Sequence, residues 1–320
     1  MSFTHGQQIL LACLITSAAL TASIAGFLAK SKDSGTVIRE QGPERHKAKA
    51  GIPSTGGRAF LIAMSIAGIG GSILMSDPRA LIGVGTGLLS GLIGLADDVM
   101  KQKRKASSGL KARYKLPLMI LVGLLASILA VYFVHDDTIR IPFMNNPLHL
   151  GWWKIPIALF CYLTIINGVN FTDGLDGLAA STVLIASLFL GATIYTINTG
   201  SAVVPVVIAG ICIGFLPFNW NPAKIFMGDS GSLCIGGALA GAAIVAGLDI
   251  IILIIGLVFM VNITTVVLQV VYFRLTGGKR IFRMTPIHHA FELRGYSEPA
   301  IVYGASVVGV IGGIIARLSL

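Results

Sequence analysis

Long apolar runs separated by short polar segments constrain the fold of this chain more than any other feature. A helix needs about 20 predominantly apolar residues to cross the hydrocarbon core of a bilayer. About ten such runs are present, which predicts an all-α integral membrane protein with about ten transmembrane helices, folded as one polytopic domain over residues 1–320. The predicted spans are approximately 7–29, 57–75, 79–96, 116–134, 154–170, 177–197, 201–218, 231–247, 249–272 and 299–317.

Composition agrees with a membrane protein. The chain is 54% hydrophobic and 12% charged, whereas soluble domains are about 25% charged. The first apolar run follows no basic residue and has no clear small-residue cleavage site, so we expect a retained helix and not a cleaved signal peptide. The four cysteines lie in apolar runs without a CxxC pair, which predicts neither a zinc site nor a disulfide framework.

The distribution of basic residues predicts the orientation. Twenty of the 24 lysines and arginines fall in alternate loops, which the positive-inside rule places in the cytoplasm. Both termini are then outside, and the net charge of +10 reflects topology and not nucleic-acid binding. Residues 138–153 read as a short β-hairpin on the periplasmic side. Trp152 and Trp153 suit the membrane interface, although simple packing explains them equally well.

A polar stretch, Asn167–Gly177, interrupts the apolar runs and carries Asn167, Asn170, Asp173 and Asp176 at intervals of three. Side chains three apart lie near one face of a helix or its terminal turn. Carboxylates near the membrane boundary have a high free-energy cost unless they are paired, hydrated or bound to a cation. The stretch therefore indicates a ligand or metal site, with a polar interhelical loop as the alternative.

Asp97 and Asp98 are predicted to end the third span. Negative charge at a helix C-terminus opposes the helix dipole, so the pair costs stability and suggests a function. Lys101, one turn later, can pair with either carboxylate. We interpret the group as a general base with a cationic partner; the alternative is a solvated helix end with a local ion pair.

Asp229 lies in a glycine-rich turn just before the eighth predicted span. A carboxylate with open coordination suits Mg²⁺, which binds a few carboxylates together with waters and phosphate oxygens. The N–H groups of the turn and of the following helix start also favour an anion. The alternative is ordinary helix N-capping by Asp229 or Ser230.

Two further segments carry phosphate-binding chemistry. Residues 47–57 present Lys49, Ser54 and paired glycines, which can offer a cation, a hydroxyl and backbone N–H groups to a phosphate; a basic helix-capping loop is the alternative. Residues 283–295 contain adjacent His288 and His289, which can hydrogen-bond phosphate. The second segment lacks the HExxH order of zinc proteases, and an interfacial amphipathic helix is its alternative. All these motifs fall on the predicted cytoplasmic side.

Taken in order, the motifs resemble those of the polyprenyl-phosphate N-acetylhexosamine-1-phosphate transferases, from Lys49 to Gly295. The most specific stretch is Pro-Ile-His-His-Ala-Phe-Glu-Leu. It favours the phospho-N-acetylmuramoyl-pentapeptide transferases (MraY enzymes) over the WecA-type transferases. One departure is Ala290, where the former commonly have a third histidine.

The resemblance implies an activity and its partners. We expect transfer of phospho-MurNAc-pentapeptide from UDP-MurNAc-pentapeptide to undecaprenyl phosphate, with Mg²⁺, giving lipid I and UMP. It also implies the bacterial cytoplasmic (inner) membrane, an active site facing the cytoplasm, contact with membrane lipid, and a homodimer. The alternatives are a WecA-type UDP-GlcNAc transferase and, from another class, a secondary transporter. A transporter would place its acids near the bilayer midplane and show internal repeats.

Residue roles follow from the same resemblance. Asp229 is the expected metal ligand and Asp97 the expected base or positioner for the lipid phosphate, with Asp98 close by; these three and His288 are the catalytic candidates. The expected substrate-binding residues are Lys49, Ser54, Lys101, Lys115, Asn170, Asp173, Asp176, Asn219, Phe226, His288 and His289.

Overall fold

Helices form most of the chain in a computed structural model, which describes residues 3–30, 49, 51–104 and 109–320. In the predicted 47–57 loop, Lys47, Ala48 and Ala50 lie outside the described residues. Within them the helices are α1 (His5–Leu28), α2 (Gly57–Ala63), α3 (Gly70–Leu74), α4 (Pro78–Arg104), α5 (Ala112–Phe133), α6 (Lys154–Thr172), α7 (Leu178–Ile197), α8 (Val203–Asn219), α9 (Gly228–Ile244), α10 (Ile251–Ile255), α11 (Leu257–Leu275), α12 (Ile287–Glu292) and α13 (Glu298–Leu318).

The prediction of an all-α membrane protein is confirmed. Among the described residues, nine helical segments are long and apolar enough to cross a membrane. A π-helical turn, Met64–Ile69, joins α2 and α3 into one of them. The nine segments are His5–Leu28, Gly57–Leu74, Pro78–Arg104, Ala112–Phe133, Gly151–Thr172, Leu178–Ile197, Gly200–Asn219, Leu257–Leu275 and Glu298–Leu318.

Three predicted spans differ from the structure. The span 231–247 corresponds to α9, which has 17 residues and is buried from Ser230 onward. The span 249–272 is interrupted at Gly256, between α10 and α11. The span 79–96 continues as α4 to Arg104, so Asp97 and Asp98 lie inside the helix and the expectation of a helix end was wrong. Basic residues in the last turn of α4 complement its dipole and extend it beyond the apolar run.

Helix α9 is central, packed against α4, α6, α2 and α8. Small residues on α4 allow the close approach. A Cβ added to Gly91 would lie 2.8 Å from the Cβ of Cys234, and one added to Gly94 would lie 2.1 Å from the carbonyl oxygen of Asp229. Glycine at these positions lets the two backbones meet. The packing thereby brings the beginning of α9 beside the last turns of α4.

The turns between the helices lie at the two ends of the bundle. Gly6, at the start of α1, lies near Met75 and Thr199, which belong to the turns before α4 and before α8. At the other chain end, Phe143 donates its backbone N–H to the carbonyl of Ser319, 2.7 Å away. The start of α1 therefore lies where α4 begins, the residue after α13 lies against the segment that follows β1, and the Asp97–Asp98 pair lies near the other end of α4.

The predicted hairpin is confirmed. Strands β1 (Thr138–Ile139) and β2 (Leu148–His149) pair antiparallel, with Thr138 opposite His149. Trp152 and Trp153, just after β2, are 68% and 75% exposed. This exposure fits a membrane-interface position better than packing inside the protein. The four cysteines, Cys13, Cys161, Cys212 and Cys234, are buried free thiols.

Candidate active site

Three carboxylates from two helices meet at the end of the bundle where α4 finishes. Asp97 and Asp98 come from α4, and Asp229 comes from the first turn of α9. One oxygen from each residue lies within 4.8 Å of the other two. Asp97 and Asp98 have side chains 3% and 8% exposed, whereas that of Asp229 is 20% exposed. Asp229 is therefore the member most open to a ligand.

Asp98 holds the N-terminus of α9. Its Oδ1 accepts the backbone N–H of Asp229 at 3.1 Å, and its Oδ2 accepts that of Ser230 at 2.9 Å. The first N–H groups of a helix have no partners within the helix, and a carboxylate there is favoured by the dipole. The N-cap residue of α9 is Met227, without a side-chain cap. Neither Asp229 nor Ser230 is the N-cap residue, and Asp98 of the neighbouring helix binds these N–H groups.

Two lysines balance most of the negative charge. The Nζ of Lys101 lies 2.5 Å from Asp97, 3.2 Å from Asp229 and 3.9 Å from Asp98. The Nζ of Lys115, from α5, lies 2.5 Å from Asp229. Three carboxylates and two ammonium groups leave one net negative charge. Both lysines were predicted to bind phosphate, and they lie beside the carboxylates where a phosphate would need cationic partners.

Further contacts fix individual carboxylates. Asn170 donates its side-chain N–H groups to Asp229 at 3.3 Å and to Ser232 at 2.8 Å. Asp97 accepts the backbone N–H of Leu110 at 2.6 Å. A Cβ added to Gly109 would lie 2.6 Å from Oδ1 of Asp97, so this close approach of the loop to the carboxylate requires glycine.

The carboxylate trio fits Mg²⁺. This ion prefers carboxylate oxygens at about 2.1 Å, so two oxygens on opposite sides of it are about 4.2 Å apart. One oxygen from each carboxylate lies within 4.8 Å of the other two, so the three residues form a group that could hold one metal ion. Because both oxygens of Asp98 accept backbone N–H groups, Asp97 and Asp229 are the better candidates for an ion.

A second polar cluster lies in the turn between α6 and α7. Asp176 Oδ1 is 2.6 Å from Nζ of Lys49, and its Oδ2 accepts N–H groups from Asn221 and Ala223 at 3.1 and 3.0 Å. Glu298 of α13 also binds Lys49, at 2.7 Å. These residues, called the Lys49 cluster below, bring together four separate parts of the chain.

Asn219 and Phe226 belong to the segment beside this cluster. Asn219 accepts the N–H of Gly177 at 3.1 Å and donates to the carbonyl of Ile225 at 3.0 Å. The half-buried Phe226 ring has the Nζ of Lys49 5.9 Å from its centroid.

Ser54 lies in the chain segment that precedes α2, and this segment passes close to Asp98. At Gly228, where φ is +68°, an added Cβ would lie 2.8 Å from the Ser54 carbonyl and 2.7 Å from Oδ2 of Asp98. This position therefore requires glycine, and the half-buried Ser54 lies close to the carboxylate trio.

The two predicted histidines contact the same turn from α12. A Cβ added to Gly174 would lie 2.5 Å from Nε2 of His288 and 3.2 Å from Nε2 of His289. His289 Nδ1 is 3.0 Å from Glu292. His288 is 3% exposed, and its Nδ1 lies 3.1 Å from Oδ1 of Asn262. Both imidazoles therefore lie beside the turn that carries Asp173 and Asp176.

A hydrogen-bond chain fixes the proton position on His288. Thr172 donates its hydroxyl to the carbonyl of Gly168, so its oxygen accepts from the Asn262 amide nitrogen, 2.9 Å away. The amide oxygen of Asn262 must then accept from His288 Nδ1. The neutral imidazole therefore carries its proton on Nδ1.

Asp173 connects the two clusters electrostatically. Burial raises the pKa of this half-buried carboxyl to about 7, and the negative charges of Asp229, Asp98 and Asp176 act in the same direction. The Lys101 ammonium opposes them. Asp173 therefore lies in a strongly negative region between the carboxylate trio and the Lys49 cluster.

Sequence reasoning missed four residues at the site: Ser232, Asn221, Asn262 and Glu298. Asn262 is a buried polar residue in the apolar α11, and that position alone is a signal for a functional role. Glu298 follows the N-cap Ser297 at the start of α13, a pattern that first indicates a helix start. Its contact with Lys49, 249 residues away, has no local signal in the sequence.

Known proteins are similar in sequence to most of this chain. The family model described as glycosyl transferase family 4 matches residues 80–247, which include the carboxylate trio. Curated relatives named phospho-N-acetylmuramoyl-pentapeptide-transferase occur in Listeria innocua (40% identical; 91% of this chain and 90% of the relative), Listeria monocytogenes (40%; 91% and 90%) and Clostridium perfringens (39%; 89% and 88%). The chain therefore belongs to the phospho-N-acetylmuramoyl-pentapeptide-transferase family, within glycosyl transferase family 4.

Proposed function

We propose that this chain transfers phospho-MurNAc-pentapeptide from UDP-MurNAc-pentapeptide to undecaprenyl phosphate in peptidoglycan synthesis. The products are UMP and lipid I. The names of the relatives support this activity. The observation that carries the proposal is the trio of carboxylates bound by two lysines at one end of a membrane bundle.

The reaction joins two anions, so charge compensation is its main requirement. An oxygen of the lipid phosphate attacks the phosphorus attached to the sugar, and the bond from that phosphorus to the bridging oxygen of UMP breaks. Lys101 and Lys115 stabilise the negative charge on the transferring and leaving phosphates. A phosphate monoester is already largely ionised at neutral pH, since its second pKa is about 6. Asp97 therefore aligns the attacking phosphate more than it deprotonates it.

Asp229 and Asp97 are the residues that would hold Mg²⁺. The ion would neutralise the diphosphate and stabilise the leaving UMP. Asp98 has a positioning role: it holds the backbone at the start of α9 and thereby positions Asp229. Asn170, which also donates to the Ser232 hydroxyl, holds the other side of Asp229.

The Lys49 cluster is proposed to bind the nucleotide. The Phe226 ring offers a face on which uracil can stack, and Lys49 lies beside that face. Asp173, Asp176 and Asn219 line the adjoining turn. His288 and His289 are proposed to contact the sugar-phosphate portion, and Ser54 the diphosphate.

The location follows from the basic-residue count. We place the site at the cytoplasmic face of the bacterial inner membrane, with both termini outside. The apolar sides of α6 and α11, which pack together, would hold the prenyl chain. A homodimer is also part of the proposal, from the family resemblance alone.

Two other functions are less well supported. A WecA-type transferase would use UDP-GlcNAc with the same lipid, but the relatives are named for the muramoyl-pentapeptide substrate. A secondary transporter would hold its acids near the bilayer midplane. Here the carboxylate trio lies near the end of α4, at one end of the bundle.

Replacing Asp229 tests the reaction centre. Asp229→Asn removes the most accessible carboxylate and the partner of both lysines. We expect it to lower lipid I formation by at least about 100-fold, while detergent-solubilised protein keeps a folded elution profile and helical circular dichroism. Near-wild-type transfer by a folded variant at limiting Mg²⁺ would refute the role of Asp229 in metal binding.

A further inference from the structure

Glu298 is bound to two groups of the Lys49 cluster at once. Its Oε2 lies 2.7 Å from Nζ of Lys49 and accepts the backbone N–H of Asp176 at 2.9 Å. The residue is 9% exposed and stands in the first turn of α13, where a carboxylate is favoured by the helix dipole. One buried oxygen therefore fixes both a cation and the backbone of the turn.

The second contact determines where Lys49 points. An ammonium group has three N–H donors, and two of them are directed at Asp176 and Glu298. The same Nζ lies 5.9 Å from the Phe226 ring centroid. The Asp176 and Glu298 carboxylates together hold the Lys49 ammonium beside the Phe226 ring more firmly than either would alone.

The carboxylate of Asp176 is also held by other partners. Its Oδ2 accepts from the side chain of Asn221 and the backbone of Ala223. Loss of Glu298 would therefore leave Asp176 anchored, but Lys49 would keep only one of its two carboxylate partners and the N–H of residue 176 would lose its acceptor. The side chain of Asp176 therefore keeps partners that do not depend on Glu298.

We propose that Glu298 is a positioning residue for the nucleotide, which acts by fixing Lys49 against the face of Phe226. This inference rests on the proposed function, because it assigns uridine-nucleotide binding to that face. Uracil carries two carbonyl acceptors, and the third N–H donor of the Lys49 ammonium can donate to one of them. Glu298 contacts Lys49 and the turn, and it acts on the nucleotide through them.

The test compares Glu298→Gln with wild type. Glutamine keeps an acceptor oxygen for the N–H of Asp176 but removes the charge that attracts Lys49. We expect the KM for UDP-MurNAc-pentapeptide to rise about tenfold, with kcat within about threefold and the KM for undecaprenyl phosphate unchanged. The affinity for UMP alone, measured by calorimetry, should fall by a similar factor.

A double-mutant cycle shows whether Glu298 acts through Lys49. In a Lys49→Met background, Glu298→Gln should weaken UMP binding no further, because the group that it positions is gone. Additive losses would overturn the inference. An unchanged nucleotide KM in Glu298→Gln, or a fall in kcat alone, would overturn it as well.

Asp249→Asn is the matched control, since Asp249 is a buried carboxyl in the turn between α9 and α10, beside Lys154. It should change thermal stability without changing the nucleotide KM. A change in nucleotide KM equal to that of Glu298→Gln would show a general folding effect and overturn the inference. Absence of transfer by wild type would refute the proposed function, while UMP binding would still decide the role of Glu298.

Discussion

Asp98 and Asp249 are both buried carboxyl groups, but their surroundings differ. Asp98 accepts two backbone N–H groups from α9. Among the described residues, neither carboxylate oxygen of Asp249 accepts a hydrogen bond, and the Lys154 ammonium is 4.0 Å away. Burial raises the pKa of Asp249 to about 7, with Asp136 acting in the same direction and Lys154 against it. Asp249 is therefore a buried acid whose neutral form is favoured.

This shift predicts a pH dependence of stability. The ordinary pKa of an aspartate is about 3.9, so between about pH 4 and pH 7 the folded state binds more protons at Asp249 than the unfolded state. The contribution of Asp249 to stability is then greatest below pH 4 and is lost as the pH rises through 7. Asp249→Asn removes this dependence.

This pH dependence of stability is measured by thermal unfolding of wild type and Asp249→Asn in detergent at pH 5, 6, 7 and 8. The Tm of the variant minus that of wild type should increase from pH 5 to pH 8. A constant difference across this range would contradict the raised pKa.

At the scale of elements, α4 and α9 form the unit that builds the reaction centre. The apolar runs predicted that most of the helices exist, because burial in a bilayer dictates their length. They did not predict the end of α4, since Lys101, Lys103 and Arg104 continue the helix into the polar region. They also did not predict that Asp98 faces the start of α9, because that contact depends on helix packing.

Asp98→Asn tests this contact between helices. An amide has one accepting oxygen, so its NH₂ group would face one of the two α9 N–H donors. We expect the free energy of unfolding to fall by about 1 kcal/mol, as for loss of a helix cap, and transfer to fall because Asp229 shifts. Equilibrium unfolding in detergent measures the stability change, and transfer assays follow the activity. Wild-type stability in Asp98→Asn would show that the contact contributes nothing to holding α9.

At the scale of the whole molecule, five distant segments of sequence converge on one end of the bundle. The basic-residue pattern predicted that the motifs share a face, and the structure brings them together. The partners within the site were not predictable from spacing: Lys49 binds Asp176 and Glu298, while Lys115 binds Asp229. Such pairs depend on how the helices are arranged, and neither partner lies near the other in the sequence.

The orientation in the membrane gives a prediction at this scale. In a cysteine-free variant, His149→Cys on the hairpin should react with an impermeant thiol reagent in intact cells. Lys111→Cys, exposed beside the site, should react only after permeabilisation. The reverse pattern would invert the proposed topology.

Substrate choice tests the central claim most directly. Purified protein is given undecaprenyl phosphate, Mg²⁺ and either UDP-MurNAc-pentapeptide or UDP-GlcNAc, and UMP release and lipid-linked product are measured together. A site whose buried polar groups pair with the muramoyl-peptide portion can discriminate by up to about 10⁴-fold against an analogue that leaves them unpaired. We predict a much higher kcat/KM with UDP-MurNAc-pentapeptide, with one UMP released per lipid I formed. Equal kcat/KM for the two nucleotides, or a preference for UDP-GlcNAc, would contradict the account.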